Sequence, residues 1–209
     1  AARIIEDRAL KTRQFFNTIA EHWDTLSREV LGGFDLAGAV CDTMPEGCDT
    51  SVDLGCGTGI VLERMRGRAR QIIGVDGSPR MLELSRRRLA GVEGEPEGGS
   101  LRIGELSHLP LRDCEADFAS INMVLHHLSN PENALAEIRR VLRSGGLLVV
   151  ADFDRHTQER MRLDYGDLWL GFDEATMARL LHAASFEVVS TTRYPVEQGL
   201  ALNLTLARR

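Results

Sequence analysis

No apolar run in this 209-residue sequence approaches the roughly 20 residues a helix needs to cross a bilayer, which excludes a membrane-spanning reading. The N-terminus, Ala1-Ala2-Arg3-Ile4-Ile5-Glu6-Asp7, lacks the apolar stretch and cleavage pattern of a secretory signal, so a cytoplasmic location is expected. An excess of positive charge is missing too. The formal net charge is -6, which gives no general attraction for phosphate backbones and argues against direct nucleic-acid binding. The local clusters Arg64, Arg66, Arg68, Arg70 and Arg86, Arg87, Arg88 read as solvated rims where helices end. Cys41, Cys48, Cys56 and Cys114 form no Cys-x-x-Cys pair and have no histidine at zinc spacing, so they are expected to be reduced packing residues. An initiator methionine is absent as well, and the chain reads as a processed, tagged or excised piece.

What is present reads as one soluble domain, with 43% hydrophobic and 27% charged residues. From residue 50 onward, short runs of valine, isoleucine and leucine alternate with helix-periodic segments, the pattern of a parallel sheet covered on both faces. Strands are expected near 50–54, 71–76, 101–104, 117–123 and 146–152. Two more, 186–194 and 199–207, are separated only by Pro195 to Gly199, which suits an antiparallel hairpin. Ser78-Pro79 and Asn130-Pro131 each offer a side-chain acceptor at the N-cap and a proline in the first turn. The second helix carries Leu135, Ile138, Val141 and Leu142 and is expected to stop at Ser144-Gly145-Gly146. Residues 92–99 read as a turn-rich loop. The first 45 residues form a helical extension with Phe15, Phe16, Ile19, Trp23 and Leu26 along one face, expected to pack over the sheet.

The chemistry concentrates in Asp53-Leu54-Gly55-Cys56-Gly57-Thr58-Gly59, a glycine turn between a strand and a helix. A dinucleotide loop reads Gly-x-Gly-x-x-Gly and holds a pyrophosphate; here the spacing is shorter and Asp53 precedes it. A carboxylate there repels a pyrophosphate but attracts an ammonium, and the helix start near Ile60 suits a carboxylate. Asp76 ends the run Ile72-Ile73-Gly74-Val75, where an acid can accept both hydroxyls of an adenosine ribose. Asp76 alone fits NAD equally well; Asp53 and the loop spacing choose S-adenosylmethionine.

These stretches, with Gly74-Val75-Asp76-Gly77-Ser78-Pro79-Arg80-Met81-Leu82, the segment Asp117 to Leu128 and the run Glu137 to Gly146, resemble the class I S-adenosylmethionine-dependent methyltransferases over roughly residues 50–155. The resemblance implies a doubly wound, Rossmann-like α/β fold whose seven-stranded sheet is mostly parallel. It places Asp53 near the methionyl amine, Gly55 and Gly57 along the methionyl group, and Asp76 with Gly77 at the ribose. Glu105 stands where the family commonly has an aspartate facing the adenine amino group, with the Leu106 amide at the ring and the Asn122 carbonyl toward the methionyl amine. Trp23 resembles the closing element of the cofactor site, either as a cation–π partner of the sulfonium or as core packing.

Methyl transfer is an in-line displacement with a good leaving group, so alignment and desolvation can carry much of it and no nucleophilic triad is required. For an acceptor bearing a proton, His127 and His156 are the candidate bases, with His126 beside them. No ligand spacing enforces a metal on these three histidines and Asp152, and none is expected. Tyr165, Trp169 and Phe172 form either an aromatic lid or simple packing. A looser resemblance links Phe15 to Asp24, Asp152 to His156 and Leu168 to Phe172 with the methyltransferase-type domain behind ArsR-type winged-helix repressors. It implies a DNA-binding domain upstream of Ala1 and an alternative role, sensing S-adenosylmethionine or S-adenosylhomocysteine without turnover. The reading carried forward is an enzyme acting on a small-molecule acceptor, with a homodimer as the expected assembly.

Overall fold

In the computed structural model, which describes residues 2–90 and 99–209, the apolar runs become one sheet. Its strands are β1 (Cys48–Leu54), β2 (Ala69–Asp76), β3 (Gly99–Ile103), β4 (Ala116–Asn122), β5 (Leu142–Phe153), β6 (Glu187–Pro195) and β7 (Ala201–Arg208), in the order β3-β2-β1-β4-β5-β7-β6. β3 to β5 pair in parallel; β7 runs antiparallel to both β5 and β6. Apart from Gly99, the loop expected at 92–99 lies outside the described residues. Among the described residues no helix is long and apolar enough to cross a membrane.

The helices are α1 (Ala2–Ile19), α2 (Trp23–Leu31), α3 (Leu36–Cys41), α4 (Ile60–Met65), α5 (Pro79–Ala90), α6 (Pro131–Val141), α7 (Arg160–Asp164) and α8 (Glu174–Ala183). Strand alternation explains why the central strands read as unbroken apolar runs. Val52, Leu54, Ile121, Leu148 and Val150 join the cluster holding Leu135 and Ile138 of α6 and Leu181 of α8. Their neighbours Phe118, Val149 and Ala151 join a second cluster with Val40 of α3, Leu62 of α4 and Leu82 of α5. Both faces are covered, so polar residues have no solvated side to occupy.

The expected caps form. Ser78 Oγ accepts from the Met81 amide at 3.2 Å and Asn130 Oδ1 from the Asn133 amide at 3.1 Å. The expected stop of α6 is corrected: the helix ends at Val141, and buried Leu142 already lies in β5, paired with Ala116 of β4. Ser144 to Gly146 form an irregularity inside that strand, where the Gly145 amide donates to the Arg209 carbonyl and the Arg209 amide to that of Gly146. Leu142 is apolar enough to fit helix or strand; its burial beside β4 decides.

The segment after β5 returns to the sheet through Gly171, whose φ is +75° and which precedes the bond from the Phe172 amide to the Phe153 carbonyl. A Cβ there would overlap the Asp154 and Phe153 carbonyls. Gly171→Ala should therefore destabilise the protein by at least ~2 kcal/mol, from left-handed strain plus overlap with backbone that cannot rotate away. Urea unfolding reads this, and an unchanged midpoint would contradict the close approach.

Candidate active site

The strand order reverses between β1 and β4, and the crevice at the carboxyl ends of such strands is where open α/β sheets bind ligands. A cavity of about 1020 Å3 lies there, at the top of the range of about 300–1,000 Å3 for small-molecule sites. Asp53, Gly55, Gly57, Asp76, Gly77 and Asn122 all line it, as do Glu105, Leu106, Trp23 and His127. His156 does not.

Asp53 ends β1 next to β4, in register with Ser120. Its Oδ1 accepts from Ser120 Oγ at 2.6 Å and from Asn122 Nδ2 at 3.0 Å. Burial pushes the carboxyl up to about 7 against those two bonds, with the nearby Asp76 charge adding to the rise. Asn122 is expected to act through its backbone carbonyl; what the structure shows is its side chain on Asp53, with its Oδ1 buried and without a hydrogen-bond partner among the described residues. The role of Ser120 was not anticipated. The signal was available: Ser120 and Asn122, two apart on a strand, share a face.

The glycine turn is folded onto the end of β2. The Gly55 and Cys56 amides both donate to the Val75 carbonyl, at 2.8 and 3.0 Å, and the Gly57 amide donates to Asp76 Oδ2 at 2.9 Å. Asp76 Oδ1 accepts from the Ser78 amide at 2.8 Å. Burial raises the Asp76 carboxyl, the Ser78 and Gly57 amides oppose it, and Glu105 adds to it. Gly57 has φ +52°, and a Cβ on it would stand 3.8 Å from Trp23 Nε1, inside the space between loop and indole.

The N-terminal helices roof this space. Asp24 of α2 accepts from Thr58 Oγ1 at 2.6 Å and pairs with Arg88 at 2.5 Å, and Asn17 Oδ1 accepts from Ser78 Oγ at 3.0 Å. Arg13 pairs with Glu105 at 3.2 Å; this contact from α1, absent from the sequence reading, engages the acid expected at the adenine. Phe16 packs edge-on to both Trp23 and His127, with ring centroids 5.2 and 4.8 Å away.

His126 and His127 follow β4 and are both buried. The bond between His126 Nδ1 and Asp152 Oδ1 spans 2.6 Å. Burial disfavours the charged His126 ring, but Asp152 outweighs it and the net direction is upward; burial and His126 hold His127 well below the ordinary histidine range. His156 sits under the 170 segment, its amide donating to the Leu170 carbonyl and its Nδ1 accepting from the Gln158 amide at 3.2 Å. The structure thus brings His127 to the cavity and leaves His156 outside it. Phe172 is core, Trp169 is partly exposed with Nε1 donating to the Leu128 carbonyl, and Tyr165 packs beside Met161; Leu168 is the residue of that segment at the cavity. None of the three aromatics lines the cavity.

Residues 52–150 match the family described as "Methyltransferase domain". A demethylmenaquinone methyltransferase of Desulfitobacterium hafniense (strain Y51) is 28% identical over 215 residues, covering 94% of this chain and 81% of that one. An uncharacterised transposon-encoded 37.1 kDa protein of Streptomyces fradiae is 39% identical over 126 residues, which are 57% of this chain and 34% of that protein. The chain thus spans a third of one relative and four fifths of the other. The crystal structure of Burkholderia thailandensis 1,6-didemethyltoxoflavin-N1-methyltransferase, with 1,6-didemethyltoxoflavin and S-adenosylhomocysteine bound, superposes with a TM-score of 0.76 at 22% identity, covering 98% of this chain and 89% of that one. The matched residues include both acids and the glycine turn at the sheet's reversal point, and over this segment the chain is similar to methyltransferase domains.

Proposed function

We propose that the chain transfers the methyl group of S-adenosylmethionine to a small, largely apolar acceptor. The observation that carries this reading is the pairing of Asp53 and Asn122 at one part of the cavity with Asp76 at another. Asn122 Oδ1 is a buried acceptor with no partner among the described residues, beside a carboxylate, and an ammonium supplies the missing donors. Asp76 has one backbone amide on each oxygen, leaving lone pairs for the ribose hydroxyls. The residues present fit the cofactor.

When bound, S-adenosylmethionine supplies an electrophilic methyl group on a sulfonium. The chain holds and encloses it. Asp53 and Asn122 take the ammonium, Asp76 takes the diol, and Gly57 leaves the backbone open beside Trp23. Phe16 and Trp23 exclude water and present aromatic surface to a cation. Beyond them the cavity is lined by Leu31, Phe34, Leu36, Met123 and Val124, which favours an apolar acceptor body. His127 contributes its neutral ring to the wall, and alignment in a desolvated space supplies the acceleration.

Incubation with methyl-labelled cofactor and a panel of hydroxylated and nitrogenous aromatic acceptors should move label into an organic-extractable product. Tight binding of S-adenosylhomocysteine with no labelled product across the panel would overturn the enzyme reading in favour of an effector-binding domain.

A further inference from the structure

Behind the cavity wall, His126, His127 and Asp167 converge from two segments far apart in sequence. All three are buried, and one ligand atom from each lies within 4.8 Å of the others. His126 Nε2 is 3.5 Å and His127 Nδ1 3.8 Å from Asp167 Oδ1. Ligand atoms on a tetrahedron with bonds of about 2.0–2.2 Å stand roughly 3.3–3.6 Å apart. The first separation falls in that range and the second is slightly longer, both beyond a hydrogen bond; His127 Nδ1 also stands 3.3 Å from the Gly166 carbonyl, a contact that an ion bound here replaces.

Two further observations point the same way. Neither carboxylate oxygen of Asp167 has a hydrogen-bond partner among the described residues, although its side chain has no exposed surface. Buried polar groups are otherwise almost always satisfied. In addition, Asp152 Oδ1 lies 2.6 Å from His126 Nδ1 and itself accepts from the Phe153 amide at 2.8 Å. That fixes the His126 ring with Nε2 toward Asp167, the carboxylate–histidine arrangement that orients metal-bound imidazoles.

We propose that His126, His127 and Asp167 bind a divalent transition-metal ion of the zinc class, with Asp152 orienting His126. Two imidazoles and a carboxylate suit zinc or cobalt(II) better than calcium or magnesium. Three protein ligands leave one coordination position for water. The ion ties the loop after β4 to the segment after α7, which already meet where the Leu168 and Trp169 amides donate to the His126 carbonyl. His127 belongs to both the site and the cavity lining, so the ion braces the acceptor wall.

Cobalt(II) and zinc titrations of the chelator-treated protein test this. One equivalent of cobalt(II) should give the intense visible absorption of a four-coordinate centre, zinc should displace it, and zinc should raise the melting temperature. Asp167→Asn should abolish the absorption, and Asp152→Asn should weaken metal binding roughly 10–100-fold, as expected for loss of an orienting partner. Near-UV circular dichroism checks that the variants are folded; the Asp167 side chain has no hydrogen bond among the described residues to lose. Absence of a bound equivalent in the folded wild-type protein would overturn the proposal and leave a proton shared between His126 and the two carboxylates. Binding that survives Asp167→Asn would overturn it equally, by placing the ion elsewhere. Neither outcome depends on methyl transfer.

Discussion

Replacing Asp76 with alanine is expected to weaken S-adenosylmethionine and S-adenosylhomocysteine binding by roughly 10–100-fold, the loss of about 1.5–3 kcal/mol that a hydrogen-bonded charged group commonly contributes. Both ligands share the ribose, so both should lose affinity together. The variant also strands the Gly57 and Ser78 amides that Asp76 now accepts from. Asp76→Asn separates the effects, because the amide oxygen can still accept one backbone bond while the negative charge is gone; it should fall between wild type and alanine. Calorimetric titration of folded protein measures this. Affinity of the alanine variant within about twofold of wild type would remove the ribose from Asp76.

The second large effect concerns Asp53 and has opposite signs for folding and for binding. Its carboxyl is held at about 7 in the folded protein against an ordinary 3.8. The folded state therefore prefers the protonated group. The stability this contributes is fully present below pH 3.8 and is lost as pH rises through about 7, amounting to on the order of 4 kcal/mol at most. The ammonium of the cofactor selects the ionised carboxylate. Cofactor affinity should therefore rise nearly tenfold per pH unit below about 7 and level off above it. Asp53→Asn should flatten both profiles, lose affinity at pH 8, and unfold at higher denaturant than wild type there. Parallel pH profiles for wild type and the asparagine variant would refute the assignment.

The sheet was legible because its strands are buried on both faces: Leu147-Leu148-Val149-Val150 can hardly be anything but a covered strand. The caps at Ser78 and Asn130 were legible because they are local. The site acids were legible because a glycine turn fixes their relation to one strand end each. Contacts made across the fold were not. Ser120 meets Asp53 only through the register of two parallel strands, and Arg13 meets Glu105 only once α1 lies over the cavity. The same reason hides the histidine–aspartate cluster. His126 and His127 announce themselves as a pair, but Asp167 reaches them through a loop whose sequence reads as a connector, and no ligand spacing reveals the convergence.

The position of β7 has a consequence for how the chain comes off the ribosome. Residues 201–208 are the last strand in sequence but the sixth of seven in the sheet, pairing with β5 on one side and β6 on the other. β1 to β5 can assemble during synthesis, yet β5 then presents an unpaired, apolar edge until β7 has been made. That interval is when a nascent chain is most open to mispairing, so rare codons or a stall just upstream of residue 201 should lower the soluble yield more than the same delay between α8 and β6.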